Sequence, residues 1–143
     1  MKKIKFIIFL GFGCLLIFTG CSTKGKLFRE FKKTKKNKGI IYFYRSSSVK
    51  GYFIKYPIFN KNTNKTLGNL KNGSYFYTEM TEGVHTIGTY TNSMEIEITK
   101  NSLTCIRVYA DIDLIWRPYV PYLVLEKVSQ HICKNEIATT REL

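Results

Sequence analysis

The chain is poor in the residues from which reactive sites are most often built. It has only two histidines, His85 and His131, and no H-x-x-x-H, C-x-x-C or H-E-x-x-H spacing. No glycine-rich phosphate loop occurs. Ser46-Ser47-Ser48 lacks the glycine frame of a nucleophile elbow and reads as a solvated turn. Acidic residues are scarce, 10 against 23 lysines and arginines. Asp111-Ile112-Asp113 offers two carboxylates, but a calcium loop needs further acids and a glycine, and Leu114-Ile115-Trp116 follows instead. These absences lead us to expect no metal, no cofactor and no catalytic residue. His85 follows a turn and should pack or bond to turn backbone. His131 should lie exposed near the start of a C-terminal helix.

What is present begins at the N-terminus, MKKIKFIIFLGFGCLLIFTGCST. Lys2, Lys3 and Lys5 precede an uncharged, mostly apolar run from Phe6 to Phe18, and Thr19-Gly20 leads into Cys21. This is the order of a secretory signal ending in a lipobox, with small residues at the scissile bond and the lipid on the following cysteine. Phe18 stands where such boxes usually carry Leu. The rival reading is an uncleaved helix, but the 18 uncharged residues from Phe6 to Thr23 fall short of the roughly 20 that a spanning helix needs. The expected address is the cell envelope, lipid-anchored. Ser22 is not the Asp that often signals inner-membrane retention, so we expect the outer membrane, facing the periplasm.

Cleavage before Cys21 leaves 123 residues with 20 basic and 10 acidic side chains, enough for one core and not two. Eight basic residues and one acid fall between Lys24 and Lys38, so that segment alone carries +7. Residues 21–38 are therefore expected to form a basic spacer. Fully extended, the 18 steps from Cys21 to Gly39 reach at most about 60 Å. Alternatively, Leu27, Phe28 and Phe31 share one face of a short helix whose lysines contact anionic head groups. Nucleic acid is excluded as a partner. The chain is exported, its basic residues are mainly Lys, and no base-reading module follows.

From Gly39 to Leu143 the hydrophobic period is two. Strands are expected at Gly39–Arg45, Tyr52–Phe59, Leu67–Leu70, Ser74–Met80, Val84–Tyr90, Met94–Thr99, Leu103–Ala110 and Tyr122–Val128. Asn72-Gly73, Glu82-Gly83, Asn92-Ser93 and Asn101-Ser102 punctuate them. Met94, Ile96 and Ile98 alternate with Glu95 and Glu97, the mark of a strand with one face buried. Ser129 suits a helix N-cap, with Gln130 to about Thr140 helical and Ile132, Cys133 and Ile137 packed on a sheet. The fold class is all-β: a small antiparallel β-sandwich of seven or eight strands with a C-terminal helix.

Tyr42-Phe43-Tyr44-Arg45, Leu70-Lys71-Asn72-Gly73-Ser74-Tyr75-Phe76 and Gly83-Val84-His85 together resemble a bacterial lipoprotein family carrying domain of unknown function number twenty-eight forty-six. Its members are similar in order: lipobox, spacer, a strand ending Tyr-x-Tyr/Phe-Arg, an L-x-N-G-S-Y-F turn, then P-G-x-H. Glu82 replaces the family Pro, while Gly83 still supplies φ > 0. The resemblance covers Gly39 to Tyr90 and implies a small sandwich; it implies no activity.

Cys105 and Cys133 remain after export. On its strand Cys105 shares a face with Leu103, Arg107 and Tyr109, while Ile106, Val108 and Ala110 face the core. A helix over the first face could bring Cys133 to Cys105; the two then form a bridge or remain separate, half-buried thiols. The loop Ile115-Trp116-Arg117-Pro118-Tyr119-Val120-Pro121-Tyr122 is stiffened by two prolines and holds residue types that anchor interfaces. Trp116, Arg117 and Tyr119 are thus the candidate partner contacts. The partners considered are the membrane through the lipid, an envelope protein, or anionic lipid. The functions weighed are a binding or structural module, a lipid-contacting module, and a hydrolase.

Cys21→Ser is expected to abolish incorporation of radiolabelled palmitate. Full labelling of that variant would refute the lipobox reading.

Overall fold

The computed structural model describes residues 25–35, 37–49, 51–111 and 122–143. Nine strands and one helix occur among them: β1 (Lys38–Arg45), β2 (Tyr56–Asn60), β3 (Lys65–Leu70), β4 (Ser74–Thr81), β5 (Gly83–Gly88), β6 (Ser93–Ile98), β7 (Leu103–Asp111), β8 (Tyr122–Val128), α1 (Gln130–Ile137) and β9 (Arg141–Glu142). They make two sheets, a five-stranded one in the order β8-β7-β1-β4-β9 and a four-stranded one in the order β3-β2-β5-β6. The expected β-sandwich with its C-terminal helix is what forms.

The first sheet is mixed, which corrects the purely antiparallel expectation. β1 runs parallel to β7, Ile40 to Tyr44 facing Leu103 to Arg107, and β9 runs parallel to β4. The reason lies in the connections. The chain leaves β1 for the other sheet instead of turning back beside it, so a strand later in sequence takes the open edge.

The core between the sheets holds Ile41, Phe43, Tyr56, Ile58, Leu70, Phe76, Ile87, Ile96, Ile98, Ile106 and Val108. As the alternation predicted, Ile96 and Ile98 are buried while Glu95 and Glu97 are exposed. A second core covers the outer face of the five-stranded sheet. It contains Phe28, Ile40, Tyr42, Tyr44, Tyr75, Cys105, Cys133 and Ile137. The single-core expectation missed it.

This second core overturns the spacer reading for residues 25–35. They form neither helix nor free linker. Phe28 is only 5% exposed and meets Tyr42 and Tyr75 edge-on, with centroids at 6.2 and 5.5 Å. Phe31 also meets Phe28 and Tyr42 edge-on, with centroids 5.0 Å away in each case. Backbone bonds hold the segment: Phe28 N donates to Thr140 O at 3.0 Å and Glu142 N donates to Lys26 O at 2.8 Å. The Lys32 amide donates to the Tyr42 hydroxyl at 2.7 Å, and its ammonium bonds Tyr77. An outward-facing row of tyrosines needs an apolar cover, and the arm's aromatics supply it. The folded domain therefore starts by Gly25 and not at residue 39.

Local expectations fare unevenly. Ser129 caps α1, its hydroxyl accepting from Ile132 N at 3.4 Å. The helix stops at Ile137, three residues early, because the Thr140 amide and hydroxyl both close on the Ile137 carbonyl, at 2.8 and 2.7 Å. Ile132 is exposed, not packed. The second strand begins at Tyr56 instead of Tyr52, since residues 51–53 form a turn. Gly83 does adopt positive φ, +134°. β9 was not anticipated; two residues carry no period.

Cys105 and Cys133 are joined as a disulfide, with Cα atoms 6.1 Å apart and a sequence separation of 28. Loop closure of that length contributes about 3–4 kcal/mol. Replacing both by Ala should lower unfolding free energy in urea by about that amount. Thiol titration of unfolded, unreduced protein should find neither cysteine free. Two reactive thiols there would overturn the pairing.

Candidate functional site

Arg45 ends β1 and is the largest fully buried side chain, 2% exposed. It follows Phe43 on the inward face, where a guanidinium must be satisfied or lose several kcal/mol. Its Nη1 donates to Ile54 O at 2.8 Å and its Nη2 to Gly51 O at 2.7 Å. Its plane lies over the Tyr56 ring, 4.1 Å from the centroid. Burial lowers the Arg45 pKa, and the neighbouring Tyr56 opposes that shift. Gly51 fits because its φ is +67° and because a Cβ there would stand 2.4 Å from the Tyr56 hydroxyl. That hydroxyl is buried with no hydrogen-bond partner among the described residues. A buried cation thus fixes the carbonyls of a surface loop from beneath.

The loop so fixed is apolar and points outward. Val49 and Phe53 are each 93% exposed, and Tyr52 and Ile54 about half exposed. Tyr52 and Phe53 touch edge to face at 5.1 Å. With Gly51 they line an open depression of about 520 Å³. Single exposed apolar residues are ordinary; a cluster on one loop marks a contact surface. Sequence reasoning placed Tyr52 and Phe53 inside a strand and missed this surface. The available signal was Gly51, which breaks the alternation just ahead of them.

A second polar cluster lies on the outer face beside the disulfide. Glu136 of α1 accepts from the Tyr44 hydroxyl at 2.5 Å and pairs with Arg107 at 2.6 Å. Arg107 also reaches Glu126 of β8 at 2.7 Å. Each carboxylate is engaged, and the cluster ties the helix to three strands.

Of the residues singled out from sequence, Cys21, Trp116, Arg117, Tyr119 and Asp113 lie outside the described residues. His85 bonds backbone beside the turn, its Nε2 2.9 Å from the carbonyl of Thr81, the last residue of β4. Asp111 accepts from the Tyr122 hydroxyl at 3.1 Å. Ser48 N donates to Asn72 Oδ1 at 2.9 Å, tying the serine loop to the Asn-Gly turn. His131 is exposed. Among the described residues, no three His, Cys, Asp or Glu side chains stand close enough to hold a metal ion, and no helix is long and apolar enough to cross a membrane. No family model, no curated protein and no solved structure matches the chain.

The buried tyrosines generate a pH prediction. Burial raises Tyr42, Tyr44, Tyr56 and Tyr75 above the ordinary value of 10.0, and at Tyr44 the Glu136 bond adds to burial. Below that value folded and unfolded chains are both neutral at these sites, and the full stability is present. Above it the unfolded chain ionises first, unfolding releases protons, and stability falls. Urea midpoints should therefore drop steeply above about pH 10, and Tyr44→Phe should flatten part of the slope. A wild-type profile flat to about pH 11 would contradict the burial.

Proposed function

We propose that the chain is a lipid-anchored lipoprotein of the cell envelope whose β-sandwich binds or braces another component and performs no catalysis. The observation that carries this reading is the order Lys2, Lys3, Lys5, apolar run, Thr19-Gly20-Cys21, followed four residues later by Gly25. The resemblance to the lipoprotein family with domain of unknown function number twenty-eight forty-six belongs to the same reading, as does a location on the outer membrane facing the periplasm.

Two features support a non-catalytic role. Catalysis needs an acid or base held within reach of a reacting group, usually with an orienting partner. Glu136 on the outer face is instead occupied by Tyr44 and Arg107. His85 spends its Nε2 on a backbone carbonyl. Binding has better material: the apolar loop on Arg45 and the Trp116-Arg117-Tyr119 sequence.

The test is a set of full-length variants scored for cellular function after correct export and folding are checked. Alanine at His85, His131, Asp111 and Asp113 should leave function intact. Alanine at Trp116 and Tyr119 should impair it, since loss of an aromatic anchor costs about 2 kcal/mol or more in binding. The reverse pattern would defeat the binding-module reading.

A further inference from the structure

We propose that the folded arm, Gly25 to Lys35, lays its basic side on anionic phospholipid head groups, so that the outer face of the five-stranded sheet lies toward the membrane. The proposal rests on the lipid-anchor reading and adds an orientation and a lipid preference to it.

The arm is a fixed part of the domain, and its packing sorts its side chains. Phe28 and Phe31 turn inward onto Tyr42. Lys26, Arg29, Lys32, Lys33 and Lys35 are exposed. The one acid of the arm is Glu30. Two neighbouring acids offset part of the charge: Glu79, 3.3 Å from Lys35, and the partly buried Glu142. Among the described residues Lys26, Arg29 and Lys33 enter no ion pair. A loose lysine run must be ordered when it meets a surface. Here the aromatic packing has already ordered the backbone, so the charges meet an anionic plane together. Four of the five are lysines, whose compact ammonium groups on flexible stems suit a layer of mobile phosphates that offers no fixed bidentate geometry.

The tether brings this side of the sandwich to the lipid. Leu27 bridges Arg141 antiparallel, and Arg141 lies parallel beside Ser74 of β4. From Leu27 back to Gly25 the chain therefore runs along the sheet toward Thr81 and Gly39, the end near which Lys35 meets Glu79. Arg141 Nη1 donates to Gly25 O at 3.2 Å, so the arm is still attached there. From Gly25 to Cys21 there are four residue steps, a reach of at most about 14 Å. Acyl chains on Cys21 thus keep the start of the arm within about two Debye lengths of the head groups, at roughly 8 Å each in physiological salt. The Gly51–Ile54 loop, held by Arg45 at the other end of β1, stays clear of the lipid.

The experiment uses full-length acylated protein on phosphatidylcholine vesicles with or without phosphatidylglycerol. Mass spectrometry first establishes that Cys21 carries lipid; a preparation without acyl chains there refutes the anchor reading, and this proposal with it. Glu30→Cys on the arm and Phe53→Cys on the far loop are labelled with a fluorophore, and the quenchers are lipids with spin-labelled head groups. Contact through the arm predicts quenching at position 30 on phosphatidylglycerol vesicles, little on neutral ones, reversal by added salt, and an unquenched signal at position 53 throughout. On acylated protein, equal signals at position 30 on the two kinds of vesicle overturn the proposal and leave the anchor reading standing. So does quenching that salt leaves unchanged, or stronger quenching at position 53 than at position 30. Lys26→Gln, Arg29→Gln and Lys33→Gln combined remove charge from side chains that form no ion pair in the fold. At about fivefold per basic residue, the ratio of lipid-facing to free orientations should fall on the order of 100-fold. Wild-type quenching in that triple variant, with an unchanged unfolding midpoint, also overturns the proposal. If the variant does not fold, the salt dependence of the wild-type arm decides.

Discussion

The structure depends on burying both faces of one strand. β1 reads GIIYFYR after Lys38, and all seven of those residues are buried. Ile41, Phe43 and Arg45 face the sandwich core, while Ile40, Tyr42 and Tyr44 face the other way. A strand with two apolar faces cannot sit in a sheet that is wet on one side. The first face is covered by the four-stranded sheet. The second needs a separate cover, and the chain assembles it from its two ends: Phe28 and Phe31 before β1, and α1 with Cys133 and Ile137 after β8. This is why a small domain carries two cores.

The cover is fixed by different physics at its two halves. On the arm side the work is aromatic packing with a few backbone bonds, and burial of a Phe ring contributes roughly 1.5–3 kcal/mol. On the helix side a short element of eight residues has little stability of its own. It is held by the covalent Cys105–Cys133 link, by Ile137 beneath it, and by Glu136 bonded to Tyr44 and Arg107. Because Arg107 is partly exposed, its ion pairs add direction more than energy. The disulfide therefore does for the helix what packing alone does for the arm.

The sequence was most legible where a local rule acts alone. The Met94–Thr99 alternation, the limits of Tyr122–Val128, the Ser129 cap and the outward face of Cys105 on its strand all follow from spacing within one element. It was least legible where long-range packing decides. Lys-rich composition made residues 24–38 read as a solvated spacer, and nothing local to Phe28 announces the tyrosine row that it covers, which comes from β1 and β4. The parallel β1–β7 pairing is likewise a property of connections, not of either strand. Tyr52 and Phe53 have strand-like residue types, but Gly51 at positive φ and the Arg45 hydrogen bonds turn the backbone there. Of the candidate site, the facing of Cys105 and Cys133 was legible while their bonding stayed open, and the apolar loop was not legible.

Arg45 links these observations. A buried arginine at the end of a core strand is costly unless its donors are used, and a Met at this position would avoid that cost. Here the cation spends its donors on carbonyls of a loop that exposes Phe53 almost completely and leaves Tyr52 and Ile54 half exposed. A domain selected for stability alone would bury those side chains or replace them with polar ones. Holding them outward makes sense if the surface they meet is itself apolar.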